Sequence, residues 1–252
     1  NDNGIILTYK QENDAITTRS QIVCGMEITM KTNKITYEQI KKSPEVNAYI
    51  QQGNASLQTQ GYTDHSSIHA SIVSKQAARI LQKLGYDNRT VELARIAGYM
   101  HDIGNCINRK DHAHHGAVLA HSILKDLNMD YDEIALIMNA IGEHDEKTGH
   151  ATNPISAALI LADKTDVRRD RVQTKTPEAF DQHDRVNYAV TGAALHIRPQ
   201  KEQIQFSIQL DESICSMMDY FEIFLQRMLM CKRSAEVLHM RFKMTANGNK
   251  IC

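Results

Sequence analysis

Asp163 constrains the fold of this chain more than any other residue. It lies in residues 155–166, a stretch apolar almost all round, with Leu159, Ile160, Leu161 and Ala162 running up to it. A helix apolar on every side belongs in an interior. A carboxylate carried into that interior needs a cation or several hydrogen bonds to remain charged. The rest of the chain must therefore bring cationic or metal-holding groups to Asp163.

Histidine is the obvious source. Of 12 histidines, nine fall between residues 65 and 150: His65, His69, His101, His112, His114, His115, His121, His144 and His150. Imidazole is the commonest metal ligand and titrates near neutral pH. The five cysteines (Cys24, Cys106, Cys215, Cys231 and Cys252) form no Cys-x-x-Cys pair. A disulfide framework and a thiolate zinc site are set aside on that ground, and a reducing cytoplasm is the expected compartment. No apolar run approaches membrane-spanning length, so no membrane partner is expected. With 29 Lys+Arg against 30 Asp+Glu, the formal net charge is −1. That balance argues against bulk nucleic-acid binding and leaves a local basic pocket open.

Helical periodicity dominates residues 36–190. A candidate over 36–50 is broken by Ser43-Pro44 into two pieces. Over 64–84, Ile68, Ile72, Ala77, Ile80, Leu81 and Leu84 recur at three- and four-residue spacing, and Gly85 ends the helix. Asn88 can cap the next helix, through Val91, Ala94, Ala97 and Met100. Helices are also expected over 112–127, 132–143 and 155–166, the last opened by Asn153-Pro154. The character then changes. Ile204, Phe206, Ile208 and Leu210 alternate with polar residues, and with 195–198 they suggest a hairpin. Asp211 or Ser213 can cap a long helix to about residue 238, and 241–244 reads as a last strand. The expected fold is mainly α: a helical bundle over 30–190 with a small C-terminal α+β appendage over 191–252, in the order β-β-α-β. Met30 reads as a natural start, which makes residues 1–29 a polar leader peripheral to function.

Within the bundle, His101-Asp102-Ile103-Gly104 is the sharpest local signal. Neighbours on a regular helix point about 100° apart, so His101 and Asp102 share a metal only near a helix end, where Gly104 gives the chain freedom. The Asp102 carboxylate has two oxygens and can bridge two ions. His69 lies four residues after His65, on the same helical face. His112 opens the helix after the His-Asp turn, and His144 closes the helix over 132–143. The doublet His183-Asp184 lacks the Ile-Gly continuation and reads as structural.

These residues resemble the HD-domain superfamily of metal-dependent phosphohydrolases. The resemblance rests on His69-Ala70-Ser71-Ile72-Val73, His101-Asp102-Ile103-Gly104 and Ala162-Asp163-Lys164-Thr165-Asp166. It is extended by Asp111-His112-Ala113-His114-His115-Gly116-Ala117, which favours His112 over His114 or His115, and by the segment His144 to Gly149. It covers roughly residues 60–190. It implies an HD-type helical bundle in which His69, His101, Asp102 and Asp163 hold one ion, and Asp102 bridges to a second held by His112 and His144. His65 is an additional candidate ligand. The oxygen and nitrogen donors suit Fe, Mn, Co, Ni or Zn better than Mg. Two departures stand out. Asn105 occupies a position where many relatives carry Lys, and no Gly-Tyr-Pro follows Gly149, so the cyclic-di-GMP phosphodiesterase branch is not supported.

The resemblance implies a hydrolase of a phosphomonoester or phosphodiester, with a nucleotide as the expected substrate and a metal-bridging hydroxide as nucleophile. No serine or cysteine nucleophile is then needed. Lys164, Arg168, Arg169 and Arg171 are candidate phosphate-binding residues. On a continuing helix Lys164, Arg168 and Arg171 would share a face, although Asp166 and Asp170 interleave as they would on a solvated, ion-paired surface. Asp145 and Glu146 are candidates to orient a ligand or take a proton at the leaving oxygen. Two alternatives are an HD-type di-iron oxygenase and a non-catalytic ligand-sensing scaffold. The scaffold predicts damaged metal positions, and none of the six is damaged. A homodimer would be marked by a paired C-terminal helix.

Overall fold

A computed structural model describes residues 16–23, 26–174, 176, 178 and 180–252, with side chains from residue 34 onward. At the N-terminus, β1 (Ile16–Val23) and β2 (Met26–Asn33) pair antiparallel. The expected leader boundary at 29–30 thus falls inside β2. The first 15 residues of that leader lie outside the described residues.

The bundle follows. Its helices are α1 (Tyr37–Lys42), α2 (Pro44–Thr59), α3 (Ser67–Lys83), α4 (Asn88–Met100), α5 (His112–Asp126), α6 (Tyr131–Gly142) and α7 (Pro154–Lys164). Ser43-Pro44 divides α1 from α2 as expected: Ser43 ends the first and its hydroxyl caps the second by accepting from Val46 N. Asp87 caps α4, accepting from Arg89 N and Thr90 N, in place of the expected Asn88. Both are cap-forming types, so sequence alone leaves this boundary uncertain by one residue. Asn153 and Ser156 form a capping box at α7, and Pro154 takes the first turn, where no amide is needed.

Helix α7 is the axis of the molecule. Residues 155–162 and Lys164 are all buried, and α7 packs against α3, α4, α6 and the C-terminal helix. That position takes Asp163 inward, as the apolar surroundings in sequence require. Helix α4 lies close against α3 because residue 98 is glycine: a Cβ there would stand 2.7 Å from Ser74 Cα and 2.9 Å from Ser74 N. The close approach brings the His69 and His101 rings to 5.1 Å between centroids.

Past α7 the chain makes a short 3-10 turn over Arg169–Arg171, then α8 (Gln182–Ala189), which the sequence pattern did not reveal. Strands β3 (Val190–Arg198), β4 (Gln203–Leu210), β5 (Arg241–Ala246) and β6 (Asn249–Lys250) form one sheet in that order. The β3–β4 pair is the expected hairpin, and β4 buries Ile204, Phe206, Ile208 and Leu210. Helix α9 (Met217–Val237) crosses to β5, which runs parallel to β4. Its cap is Ser216, in a capping box with Asp219, and not Asp211 or Ser213. One hydrophobic core cluster takes in residues from Ile35 to Ala246. Among the described residues, no helix is long and apolar enough to cross a membrane, and Cys106, Cys215, Cys231 and Cys252 are free.

Candidate metal centre

Four helix ends and one turn converge beside α7. His69 comes from the first turn of α3, His101 from the end of α4 and His112 from the first residue of α5. His144 follows α6, and Asp163 is next to last in α7. Asp102 immediately precedes a 3-10 turn over Ile103–Cys106. All four imidazoles are buried, at 0–2% exposure, and Asp102 is 7% exposed.

Each imidazole commits one nitrogen to the protein and aims the other inward. Nδ1 of His101, His112 and His144 lies 2.9, 3.1 and 2.6 Å from the carbonyls of Gly98, Arg109 and Ile141. Nδ1 of His69 lies 2.7 Å from Asp166 Oδ2. Those acceptors place the proton on Nδ1, so every Nε2 offers a bare lone pair. The Nε2 atoms of His69 and His101 are buried with no hydrogen-bond partner, a costly state for a polar atom unless an ion completes it.

The carboxylates complete two sets. His69 Nε2 and His101 Nε2 stand 3.4 and 3.7 Å from Asp163 Oδ1, and 3.7 and 3.1 Å from Asp102 Oδ2. The other Asp102 oxygen, Oδ1, stands 3.5 Å from His112 Nε2 and 3.8 Å from His144 Nε2. The His112 and His144 Nε2 atoms face one another at 3.1 Å. Two lone pairs that close repel unless a proton or a cation lies between them. Ligands about 2.1 Å from a shared ion stand roughly 3–3.5 Å from one another, which is close to these separations. Donor atoms of His69, His101 and Asp163, and of His101, Asp102 and His144, lie within 4.8 Å of one another. The residues present therefore fit metal.

Electrostatics agree. Burial works against ionisation of Asp102 and Asp163. It is outweighed at Asp102 by the His101 imidazole and at Asp163 by the Lys164 ammonium, so both carboxyls sit well below the usual carboxylate range. Burial would lower the His101 pKa, but Asp102 and Asp163 outweigh it and raise it. A field that draws a proton to this nitrogen draws a metal cation equally. Burial, then the neighbouring His144, lowers the His112 pKa and favours the neutral form that metals take.

The remaining candidates take other places. His65 Nδ1 lies 2.6 Å from the Thr63 carbonyl, and its ring packs edge-on against His69 at 5.6 Å. It adjoins the cluster without entering either set. The helical face expected for Lys164, Arg168 and Arg171 does not form, because α7 stops at Lys164. Each cation is instead engaged within the protein. Lys164 Nζ pairs with Asp163 Oδ2 at 2.9 Å and Glu146 Oε2 at 2.7 Å, and Glu146 is also held by Arg227 of α9 at 3.1 Å. Arg168 pairs with Asp166 and Asp170. Arg169 donates to the Tyr188 carbonyl, and Arg171 to the carbonyls of Asp64 and Asp166. Asp145 Oδ2 lies 3.7 Å from His112 Nδ1. In the second doublet, the Asp184 carboxylate accepts from Thr174 Oγ1 and the Asp184 amide donates to the Asp181 cap of α8, as expected of a structural residue.

Two positioning residues escaped the sequence reading. Asn105 Nδ2 donates to Asp102 Oδ1 at 2.9 Å and fixes the carboxylate plane. Asp166 holds His69 and is itself held by Arg168. Carboxylates behind a metal-bound imidazole raise its basicity, and their replacement costs about 10–100-fold in metal affinity. Asp166→Asn keeps an acceptor for His69 but loses the charge. Mn(II) affinity by titration calorimetry is expected to fall about 10-fold, at the low end of that range. An unchanged affinity would remove Asp166 from the centre.

Residues 67–170 match the HD domain family model. The uncharacterized protein MJ1020 of Methanocaldococcus jannaschii is 28% identical over 214 residues, covering 75% of this chain and 80% of that protein. Ribonuclease Y of Oceanobacillus iheyensis is 32% identical over 121 residues, covering 47% of this chain and 21% of that protein. A crystal structure of a predicted HD superfamily hydrolase from an uncultured Thermotogales bacterium is 23% identical. It covers 49% of this chain and 67% of that one, with a TM-score of 0.39.

Proposed function

This chain is an HD-domain superfamily protein, and from that premise we propose that it is a metal-dependent phosphohydrolase acting on a phosphomonoester or phosphodiester, with a nucleotide as the favoured substrate. One observation carries the reading: Asp102 turns one oxygen to His69 and His101 and the other to His112 and His144. A carboxylate so placed suits two ions, with His69, His101 and Asp163 on one side and His112 and His144 on the other. Among the relatives, the name Ribonuclease Y points to phosphodiester chemistry, though this chain covers only 21% of that protein.

Divalent metal, when bound, lowers the pKa of a coordinated water toward neutrality and stabilises charge on phosphoryl oxygens. The chain's own residues do the rest. Asn105 and Asp166 hold Asp102 and His69 in orientation. Lys164 pairs with Asp163 Oδ2 and keeps the carboxylate ionised, with Oδ1 directed at His69 and His101. Glu146 is committed to Lys164 and Arg227, and Asp145 lies beside His112, with Oδ2 3.7 Å from its Nδ1.

The test is metal analysis followed by a screen of phosphoesters with Mn, Fe, Co and Ni. Chelation is expected to abolish turnover, and re-addition of metal to restore it. At 100 times its dissociation constant, metal adds about 2.7 kcal/mol of stability, a rise in Tm of roughly 5–10 °C. Full phosphoester turnover after chelation would sink the proposal. Dioxygen uptake without phosphoester turnover would replace it with the oxygenase.

A further inference from the structure

Arg109 differs from the ion-paired cations around the centre. Lys164, Arg168, Arg171 and Arg227 each lie within ion-pair distance of an acid. Among the described residues, no carboxylate pairs with Arg109. Its guanidinium makes two long contacts, 3.3 Å to His112 Nε2 and 3.4 Å to Asn105 Oδ1. It lies over the Tyr62 ring, 5.5 Å from the centroid. The residue is half-buried, in the segment between the 3-10 turn and α5, and its neighbours Ile107, Asn108 and Lys110 are exposed. It therefore stands at the mouth of the cluster.

The contact with His112 cannot coexist with an ion there. The His112 lone pair that accepts from Arg109 is the one directed at Asp102 and His144, because Nδ1 already faces the Arg109 carbonyl. A metal ion taking that lone pair displaces the guanidinium and repels it. Arg109 then keeps the 3.4 Å contact with Asn105, a neutral amide, and its place over the Tyr62 ring, with no anionic partner. A guanidinium on a flexible stem, freed at the open side of a cationic centre, suits an oxyanion that the ions also attract, and it can meet phosphate with two parallel hydrogen bonds.

We propose that Arg109 is the substrate-phosphate clamp of this site, held on His112 in the metal-free protein and released to the phosphoryl oxygens when metal binds. The inference rests on the phosphohydrolase reading. It transfers to Arg109 the role that the sequence pattern suggested for Lys164, Arg168, Arg169 and Arg171.

Inorganic phosphate and Mn(II) test it without turnover. Both are titrated calorimetrically into the full chain, its Arg109→Met variant and its Arg109→Lys variant, with phosphate added to the Mn-loaded proteins. Arg109→Met is expected to bind Mn(II) with the same stoichiometry and at least the parent's affinity, because the competing guanidinium is gone. Its phosphate affinity is expected to fall about 10- to 100-fold, the scale of a lost charge-assisted hydrogen bond. Arg109→Lys is expected to recover part of that loss. Equal phosphate binding by Arg109→Met and parent overturns the clamp and leaves the phosphohydrolase reading standing. Weaker Mn(II) binding by Arg109→Met also overturns it, because Arg109 would then be a prop for His112. A parent that binds Mn(II) but no phosphate overturns both.

Discussion

Asp102→Ala is expected to leave a folded protein that holds no transition metal and turns over no phosphoester. Among the described residues, Asp102 is the one whose side chain faces all four inward-directed imidazoles, at 3.1 to 3.8 Å. Its loss takes a donor from both ion positions at once. His112→Ala, by contrast, leaves His69, His101 and Asp163 intact as a set. Turnover in Asp102→Ala should fall on the order of 10³-fold or more, the scale of losing a main stabiliser of transition-state charge. His101→Ala should follow it closely, since His101 belongs to both sets. Stability separates this from simple unfolding. The surroundings of Asp102 hold its carboxylate ionised, so metal-free Asp102→Ala should melt below the metal-free parent but still unfold in one cooperative transition. Metal should raise the Tm of the parent and not of the variant. Parent-level metal content in Asp102→Ala, measured by plasma emission, would show that the ions sit elsewhere.

Part of the candidate cluster was legible because Asp163 and His101-Asp102 each break a local rule. Asp163 is a carboxylate in an apolar helix, and the structure buries that helix on all sides. His101-Asp102 sits at a helix end, where two adjacent side chains can turn together. Asp166 breaks no rule: three residues past Asp163 and interleaved with arginines, it has the pattern of a solvated acid. Its partner His69 lies 97 residues away, and no local period encodes that distance. The arginines misled for a related reason. Charged residues carry no hydrophobic period, so nothing in 164–171 marked the end of α7. Thr165 supplies the missing signal only in three dimensions, its hydroxyl donating to the Leu161 carbonyl at 2.6 Å as the helix stops. The alternation of β4 likewise announced a strand and its buried face, but a pleat says nothing about whether the next strand runs parallel. The α9 crossover decides that.

Gly104→Ala is expected to be the most disruptive single-methyl change in the bundle. A Cβ at residue 104 would stand 2.0 Å from His112 O and 2.4 Å from Gly116 N. Both are backbone atoms of α5, so no flexible side chain can yield, and either the 3-10 turn or the whole helix must move. Overpacking costs about 1–3 kcal/mol and occasionally more, and a backbone obstacle belongs at the upper end. A loss of about 3 kcal/mol lowers the Tm of a chain this long by roughly 6–12 °C. The damage is also directed. The 3-10 turn begins directly after Asp102, and α5 begins with His112. Pushing them apart widens the 3.5 Å gap between Asp102 Oδ1 and His112 Nε2, while His69, His101 and Asp163 keep their supports on α3, α4 and α7. Gly104→Ala should therefore lose metal from the His112–His144 side first, and retain about half the parent's stoichiometry at limiting metal. Gly142→Ala is the control, because its nearest neighbour, Ala117 Cβ, lies at an ordinary 3.8 Å. Parent-like melting and metal content in Gly104→Ala would mean that the glycine of this turn is not there for the close approach of α5.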